Sequence, residues 1–180
     1  MIRCTKRSAL GAIVIGAVLA GCAAASAQDL PGVGQGLKAP QRPGEELKGL
    51  NTLSVVVEGL GSQAASCGLS ESTLRAAAAK SLSDAGLKVL RDSDEDTYLY
   101  VNVNSSRVPS GICVSRYDVI LYSYTTARMT YGSAPVLVQV SLLRDAGMAG
   151  GDPASNGEAV VRAVKQAADS FAGQIRDANK

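Results

Sequence analysis

The spacing of apolar and polar residues predicts five β-strands between residue 50 and the end of the chain. In the first of them Leu53, Val55 and Val57 alternate with Ser54 and Glu58, which is the pattern of a strand with one buried face. On this basis we predict strands at residues 53–58, 86–90, 98–104, 114–128 and 135–143. A turn at residues 131–134 joins the last two, so that an antiparallel meander follows.

One segment between the first two strands has the period of a helix. Leu74, Ala78 and Leu82 fall on one face, as expected of a helix that packs on a core. Ser70 precedes them as an N-cap, and Gly86 ends the segment with a residue suited to the left-handed conformation. We therefore predict a helix that starts after Ser70 and ends before the second strand.

The chain closes with a second predicted helix. A glycine-rich turn at residues 146–152 separates it from the last strand. Ser155 and Glu158 have the spacing of a capping box at its start. Its apolar stripe consists of Val160, Val164, Ala167, Phe171 and Ile175.

These elements predict an α+β domain in the order β-α-β-β-β-β-α. Two helices would cover one face of a mainly antiparallel sheet of four to five strands. We place this single domain at residues 50–180, a length that suits one compact core. Residues 28–49 are rich in proline and glycine without a hydrophobic period, and they are interpreted as a linker.

Residues 1–27 have the three-part order of a secretory signal. Arg3, Lys6 and Arg7 precede an uncharged apolar run at residues 8–20, and small residues follow. A membrane span needs roughly 20 apolar residues, so the run is too short for a retained transmembrane helix. Cleavage is expected either before Cys22 or after Ala27, because both processing sites are present.

The sequence Leu19-Ala20-Gly21-Cys22 resembles the lipobox of bacterial lipoproteins. That resemblance implies lipidation of Cys22, and Ala23 behind it implies the outer membrane. Acyl chains on Cys22 would supply stable membrane attachment. The alternative is ordinary cleavage at Ala25-Ser26-Ala27, which would release a soluble periplasmic protein.

The layout behind the lipobox resembles small envelope lipoproteins of Gram-negative bacteria. Among them is the lipoprotein subunit of the outer-membrane lipopolysaccharide translocon. Only residues 19–22 match at the level of sequence, and Ala23-Ala24-Ala25 replaces the aromatic and basic residues that often follow the lipidated cysteine in that family. The resemblance therefore implies no binding residues for this chain, and layout alone does not assign a function.

Charge and composition exclude several functions. Removal of the signal takes away three positive charges and no negative ones, so that the net charge falls from +2 to −1. A near-neutral domain without a basic cluster lacks the electrostatic footprint of a nucleic-acid-binding protein. The chain also has no histidine, which removes the commonest general base and the commonest transition-metal ligand.

Two cysteines remain in the predicted domain, Cys67 and Cys113. In an oxidising periplasm we expect them to form a disulfide. A redox-active pair is the alternative. It is less favoured, because the two lack C-x-x-C spacing and a histidine that would lower a thiol pKa.

The strand at residues 98–104 supplies the candidate ligand-binding residues. Its polar face consists of Tyr98, Tyr100, Asn102 and Asn104. With other strand tyrosines, this surface would suit a polar or glycan-like ligand. Arg116 and Asp118 share a face with Tyr122, and a strand ion pair explains them as well as a site does. Tyrosine also favours half-buried strand surfaces for purely structural reasons.

No pattern indicates a cofactor, a metal or a catalytic centre. The acidic run at residues 92–96 starts like a calcium loop, but Thr97 and Val103 replace the required glycine and glutamate. A solvated turn is the simpler interpretation. Signatures such as G-x-S-x-G, S-x-x-K and paired carboxylates are missing.

The sequence thus predicts a non-catalytic exported envelope protein. The favoured interpretation is an accessory or assembly lipoprotein that offers an interaction surface to an envelope protein partner. The alternative is a soluble periplasmic module that binds a ligand on the Tyr/Asn face. A hydrolase without histidine is a third hypothesis, and it would require a buried pair of groups with perturbed pKa values.

Overall fold

The computed structural model describes residues 44–91 and 95–180. The predicted signal, Cys22 and most of the predicted linker lie outside the described residues, as do Asp92 and Asp94. The strands are β1 (Thr52–Val57), β2 (Lys88–Leu90), β3 (Thr97–Arg107), β4 (Cys113–Arg128) and β5 (Pro135–Gly151). The helices are α1 (Ser62–Ser66), α2 (Glu71–Asp84) and α3 (Pro153–Ala178), and a short 3₁₀ helix, Glu45–Leu47, precedes β1.

The five strands form one sheet in the order β2-β1-β3-β4-β5. Strands β3, β4 and β5 are antiparallel and long, with β3 and β4 paired from Thr97–Ser123 to Arg107–Cys113. Strand β1 pairs parallel with both of its neighbours, over only a few residues. The predicted α+β class and element order are confirmed, with α1 as an additional helical turn.

The hydrophobic core lies between the helices and one face of the sheet. The strands contribute alternate residues, among them Leu53, Leu99 and Leu121, each without exposed surface. The helices contribute Leu74, Ala78, Leu82, Val160, Val164, Ala167, Phe171 and Ile175. The apolar stripes that predicted α2 and α3 are therefore the faces that these helices bury. Among the described helices, none is both long and apolar enough to cross a bilayer.

The domain begins before residue 50, where the predicted linker was to end. Leu47 is 1% exposed and belongs to the core. Asn179, just after α3, holds this segment in place: its side chain accepts a hydrogen bond from the Gly49 backbone N–H at 2.7 Å and donates one to the Ile175 carbonyl at 2.7 Å. Residues 44–49 thus form part of the fold, because Leu47 supplies an apolar anchor within the Pro/Gly-rich segment.

Strand β5 continues through the segment predicted as a glycine-rich turn. It pairs with β4 up to the Cys113–Gly151 pair, after a bulge that leaves Leu142 without a partner. Gly147 has a positional role there, because any Cβ at this residue would collide with the ring of Tyr117. The turn prediction was wrong because glycine here makes room for a neighbouring side chain instead of ending the strand.

Helix α3 starts at Pro153, with Asp152 as its N-cap. The Asp152 carboxylate accepts hydrogen bonds from the backbone N–H groups of Ala154 and Ser155 at 3.0 and 3.1 Å. It also accepts one from the Ser155 hydroxyl at 2.6 Å. The predicted capping box of Ser155 and Glu158 is therefore wrong, because Ser155 already lies in the first turn and Pro153 occupies a position suited to a helix start.

Candidate functional site on the open face of the sheet

None of the described helices packs against one face of the sheet, and we call it the open face. Among the residues that the strand register places on it are Ser54, Val56, Glu58, Tyr98, Tyr100, Asn102, Asn104, Arg116, Asp118, Ile120, Tyr122, Tyr124, Leu137, Gln139, Ser141, Arg144 and Met148. All four predicted ligand-binding residues, Tyr98, Tyr100, Asn102 and Asn104, lie here. Alternation along β3 separates them from core residues such as Leu99 and Val101.

Four tyrosines on β3 and β4 form a contiguous cluster, which we call the tyrosine cluster: Tyr98, Tyr100, Tyr122 and Tyr124. The ring centroid of Tyr98 lies 5.8 Å from that of Tyr122 and 6.0 Å from that of Tyr124. Tyr100 and Tyr122 are 6.0 Å apart. The rings are tilted to each other, a favourable arrangement for aromatic pairs. The cluster is half-buried, and Tyr124 is the most open of the four, with 39% of its surface exposed.

Glu58, just after β1, anchors one side of this cluster. Its carboxylate accepts hydrogen bonds from the Tyr100 hydroxyl and the Asn102 amide, and Asn104 donates in turn to Asn102 at 2.6 Å. The hydrogen bond from Tyr100 is the main reason that the pKa of Glu58 lies below its usual value. The same bond raises the pKa of the Tyr100 phenol. Glu58 is therefore an ionised carboxylate with fixed donors.

Gln139 anchors the other side of the tyrosine cluster. Its side-chain amide on β5 donates a hydrogen bond to the Tyr98 hydroxyl. Partial burial, followed by the neighbouring Tyr124, raises the pKa of the Tyr98 phenol. Both Tyr98 and Tyr100 are therefore neutral phenols at neutral pH, with their hydroxyl groups already engaged.

A charged group lies beside the tyrosine cluster, across β4 and β5. Asp118 binds Arg144 at 2.6 Å and Arg116 at 3.2 Å. The carboxylate is largely covered, whereas both guanidinium groups are more than half exposed. The bond with Arg144 is the main reason that the pKa of Asp118 lies below its usual value. The group therefore has a net positive charge and presents it to solvent.

The remaining tyrosines lie elsewhere. Tyr117 is on the helix side of β4, where its ring covers Gly147. Tyr131 is in the β4–β5 turn and is 89% exposed. We expected that some of the strand tyrosines would share the open face. Four of them lie there, and Tyr117 does not.

Cys67 and Cys113 form the predicted disulfide, with their Cα atoms 5.7 Å apart. It joins the residue after α1 to the first residue of β4, and neither cysteine has exposed surface. Beside it the buried Asn156 of α3 donates hydrogen bonds to the Cys67 carbonyl at 3.2 Å and to the Ser115 hydroxyl at 2.9 Å. These contacts make the disulfide part of the packed interior, in a structural position.

Two clefts lie on the helix side of the domain. One, of about 800 Å³, lies between α2 and the β2 edge and includes Arg75, whose guanidinium donates to the Val55 carbonyl at 2.8 Å. The other, of about 640 Å³, lies between α2 and α3 near Gly157. Neither cleft includes a residue of the tyrosine cluster, Glu58 or the arginines that bind Asp118. Within residues 44–91 and 95–180 no group of three or more acidic, Cys or His side chains is placed to hold a metal ion.

Sequence reasoning missed three polar residues of this site, namely Glu58, Gln139 and Arg144. The alternation in β1 correctly put Glu58 opposite the apolar face. Its contact with Tyr100 depends on the parallel pairing of β1 with β3, which begins 40 residues later. Gln139 and Arg144 depend similarly on the β4–β5 register and its bulge. Local patterns predict which face of the sheet a side chain lies on. They do not predict which residues of the adjacent strands lie beside it.

The open face combines aromatic rings, fixed hydrogen-bonding groups and one cationic group on a broad surface. Such a surface can recognise a partner by contact, since tyrosine and arginine are enriched in protein interfaces. No protein-family profile matches the chain, and no curated protein is significantly similar to it.

Proposed function

We propose that this chain is a non-catalytic accessory protein of the bacterial envelope, which binds an envelope protein through the open face of its sheet. The proposal includes export by the N-terminal signal and attachment to the outer membrane through a lipidated Cys22. The domain would then present its open face to a larger assembly in the periplasm. It requires no cofactor, metal or nucleic acid.

The observation that carries this proposal is the uncovered tyrosine cluster. An antiparallel sheet can leave one face to solvent, but such a face is then usually polar. Here four tyrosines are grouped, and Val56 next to them is 40% exposed. Tyrosine rings lose little conformational entropy on binding and combine apolar area with a hydrogen-bonding group. A grouped set of them supports a contact surface for a macromolecule.

The polar groups around the cluster support specificity. Glu58 beside β1 is negative, and the group of Asp118, Arg116 and Arg144 on β4 and β5 is positive overall. Charges at the rim of an interface guide the orientation of a partner and exclude unsuitable ones. A partner segment with the opposite order of charges would fit this face.

The alternative function is a soluble periplasmic module that binds a polar ligand on the same residues. The hydrogen-bonded array of Tyr100, Asn102 and Glu58 favours it, because such groups orient sugars and other polyols. Small-molecule sites are, however, generally concave. The two clefts described above lie on the helix side, so the protein-binding function is better supported.

Site-directed photo-crosslinking in the native host tests the protein-binding proposal. A photoreactive amino acid at Tyr124 or Val56 should give a discrete adduct with another protein. Gln166, which is exposed on α3, is the matched control and should give none. Adducts from Gln166 alone, or no protein adduct from the open face, would contradict the proposal, and the second result would favour the ligand-binding module.

Intact-mass spectrometry of the processed chain tests the proposed anchor. A diacylated and N-acylated chain that starts at Cys22 in the membrane fraction is the expected result. A soluble chain that starts at Gln28 would contradict the anchor while leaving the open face as a binding surface. The two experiments therefore separate the location of the protein from the role of its sheet.

A further inference from the structure

The two edges of the sheet differ greatly in length. Strand β2 forms one edge and has three residues, whereas β5 forms the other and has 17. Apart from the ladder with β4, no described group hydrogen-bonds to the backbone of β5 within the strand. An edge of this length offers a row of backbone N–H and C=O groups to another strand.

The first part of β5 has few of the features that normally protect an edge, since Pro135, which has no N–H to donate, lies only at its first residue. Residues 135–141 contain no charged side chain, although charges and above all lysine are the usual means of preventing strand addition. The bulge at Leu142 and the charged pair Arg144 and Asp145 come only after this segment. Beyond Pro135, edge protection is therefore confined to the second half of the strand.

Apolar side chains are exposed along the unprotected segment. Val136 is 44% exposed and Val140 is 37% exposed, with Val138 between them on the same side. Leu137 points to the other side and is 70% exposed. The three valines lie on the helix side of the sheet, yet much of their surface is open to solvent.

The valines form the sequence Val-x-Val-x-Val, which is symmetric about Val138. A two-fold axis through Val138 would place it opposite Val138 of a second copy. Val136 would then lie opposite Val140 of that copy, and Leu137 opposite Gln139. Directly opposed residues point to the same side of a continuous antiparallel sheet. The six valines would therefore form one apolar stripe.

We propose that two copies of this chain associate through residues 135–141 of β5, antiparallel and with Val138 at the two-fold axis. Such a contact is isologous, so that the same patch serves both partners and the assembly closes as a dimer. A second copy fits as the occupant, because the valine pattern of the segment is symmetric about Val138 and the segment has no charged side chain that would be opposed by its own counterpart across the axis. Each subunit thereby contributes five strands to one continuous sheet of ten.

The proposed contact is limited in extent. A stable interface buries about 1,600 Å² in total, and seven paired residues on each side provide less than this. We therefore expect a dimer that dissociates on dilution in the micromolar range, at about 1 to 100 μM. The paired segment includes Gln139, which donates to Tyr98, but pairing at the sheet edge leaves the rings of the tyrosine cluster uncovered.

Disulfide trapping tests the register. Opposed Cα atoms in antiparallel strands lie about 4.5 to 5.5 Å apart, within the range that a disulfide can bridge. Val138→Cys in the full chain, expressed and exported by the host, should therefore give a covalent dimer. Leu137→Cys is the matched control: two Leu137 positions would lie diagonally, about 7 to 8 Å apart. Although Leu137 is the more exposed residue, it should not crosslink.

Co-expression of Leu137→Cys and Gln139→Cys chains should restore a crosslink, because these two positions are opposed in the proposed register. The unsubstituted chain shows how much crosslinking arises from the native cysteines alone. Equal crosslinking of Val138→Cys and Leu137→Cys would overturn the proposed pairing. So would a Val138→Cys chain that stays monomeric in cells and at high concentration.

Sedimentation equilibrium on the purified, processed protein tests the association without a crosslink. Val138→Lys places two like charges opposite each other and should weaken dimerisation by at least about tenfold. Met148→Lys, at a 72% exposed position of β5 beyond the bulge, should leave it unchanged. Circular dichroism checks that both variants fold. A dimer that survives Val138→Lys, or an unsubstituted chain that is monomeric throughout, would overturn the proposal.

Discussion

Gly157 of α3 lies so close to Gly68 that a Cβ on Gly157 would be only 2.5 Å from the Gly68 carbonyl oxygen. At this contact the N-terminal part of α3 packs against the loop that precedes α2. We expect Gly157→Ala to lower the free energy of unfolding by about 1–3 kcal/mol, because backbone would have to shift. Urea unfolding followed by circular dichroism measures the loss.

Gly173 is the matched control for this substitution, in the same helix. No neighbouring atom lies within 4 Å of a Cβ added there. Gly173→Ala should therefore raise the stability by up to about 1 kcal/mol, since alanine is the better helix former. If the two substitutions had equal effects on stability, a Cβ would have room between α3 and Gly68, and the close contact would be contradicted.

The disulfide between Cys67 and Cys113 should be a major source of stability. It links residues 46 positions apart, and a closed loop of that size restricts the unfolded chain by at most about 4 kcal/mol. We expect replacement of both cysteines by alanine to cost about 2–4 kcal/mol in chemical unfolding. Reductant should cause a similar loss in the unsubstituted protein and no further loss in the variant. Unchanged stability would contradict the structural role of the pair.

Asp152, rather than Ser155 or Glu158, should determine the stability of the α3 N-terminus. Asp152→Ala removes the acceptor of the Ala154 and Ser155 N–H groups and should lower the melting temperature. Asp152→Asn should retain most of the stability, because asparagine is also a good N-cap. Glu158→Ala should have little effect, and a loss equal to that of Asp152→Ala would restore the capping-box prediction.

The Glu58–Tyr100 contact should produce a pH-dependent contribution to stability. Because folding lowers the pKa of Glu58 from its usual value of 4.5, the contribution is fully present above about pH 4.5 and is lost as the pH falls through the folded pKa. Glu58→Gln should abolish this contribution. The stability difference between the unsubstituted protein and the variant should therefore be constant near neutral pH and shrink below pH 4.5.

Titration followed by NMR measures both partners of this contact. In the unsubstituted protein the Glu58 carboxyl should titrate below, and the Tyr100 phenol above, its usual range. In Glu58→Gln the pKa of Tyr100 should fall, since its main cause of elevation is removed. A Tyr100 pKa that does not respond would contradict the hydrogen bond between the two side chains.

Much of the fold follows from local patterns. The alternation at Tyr98 to Asn104 correctly assigned β3 and its two faces, and the stripe from Val160 to Ile175 correctly assigned the buried face of α3. In both cases the residues that define the pattern are those that contact the core. A hydrophobic period that arises from burial can therefore be recognised in the sequence without knowledge of the neighbouring elements.

The missed features depend on residues far apart in the chain. From the sequence alone Gly147 is typical of a turn. Its role in the strand becomes clear only from the Tyr117 ring that lies against it. From the sequence alone Leu47 is typical of a linker. Its packing with α3 identifies it as a core residue. The open face was predicted in outline from β3, but the positions of Glu58, Gln139 and Arg144 beside it come from register, which turns, bulges and crossovers set together.

The position of β1 has a consequence for how the sheet assembles. It is the first strand to be synthesised, yet both of its neighbours, β2 and β3, come later in the chain. Parallel partners cannot close as hairpins, whereas β3, β4 and β5 are joined by the short turns at residues 108–112 and 129–134. We therefore expect the meander to form early, and β1 to join β3 late, with β2 added at the edge after it.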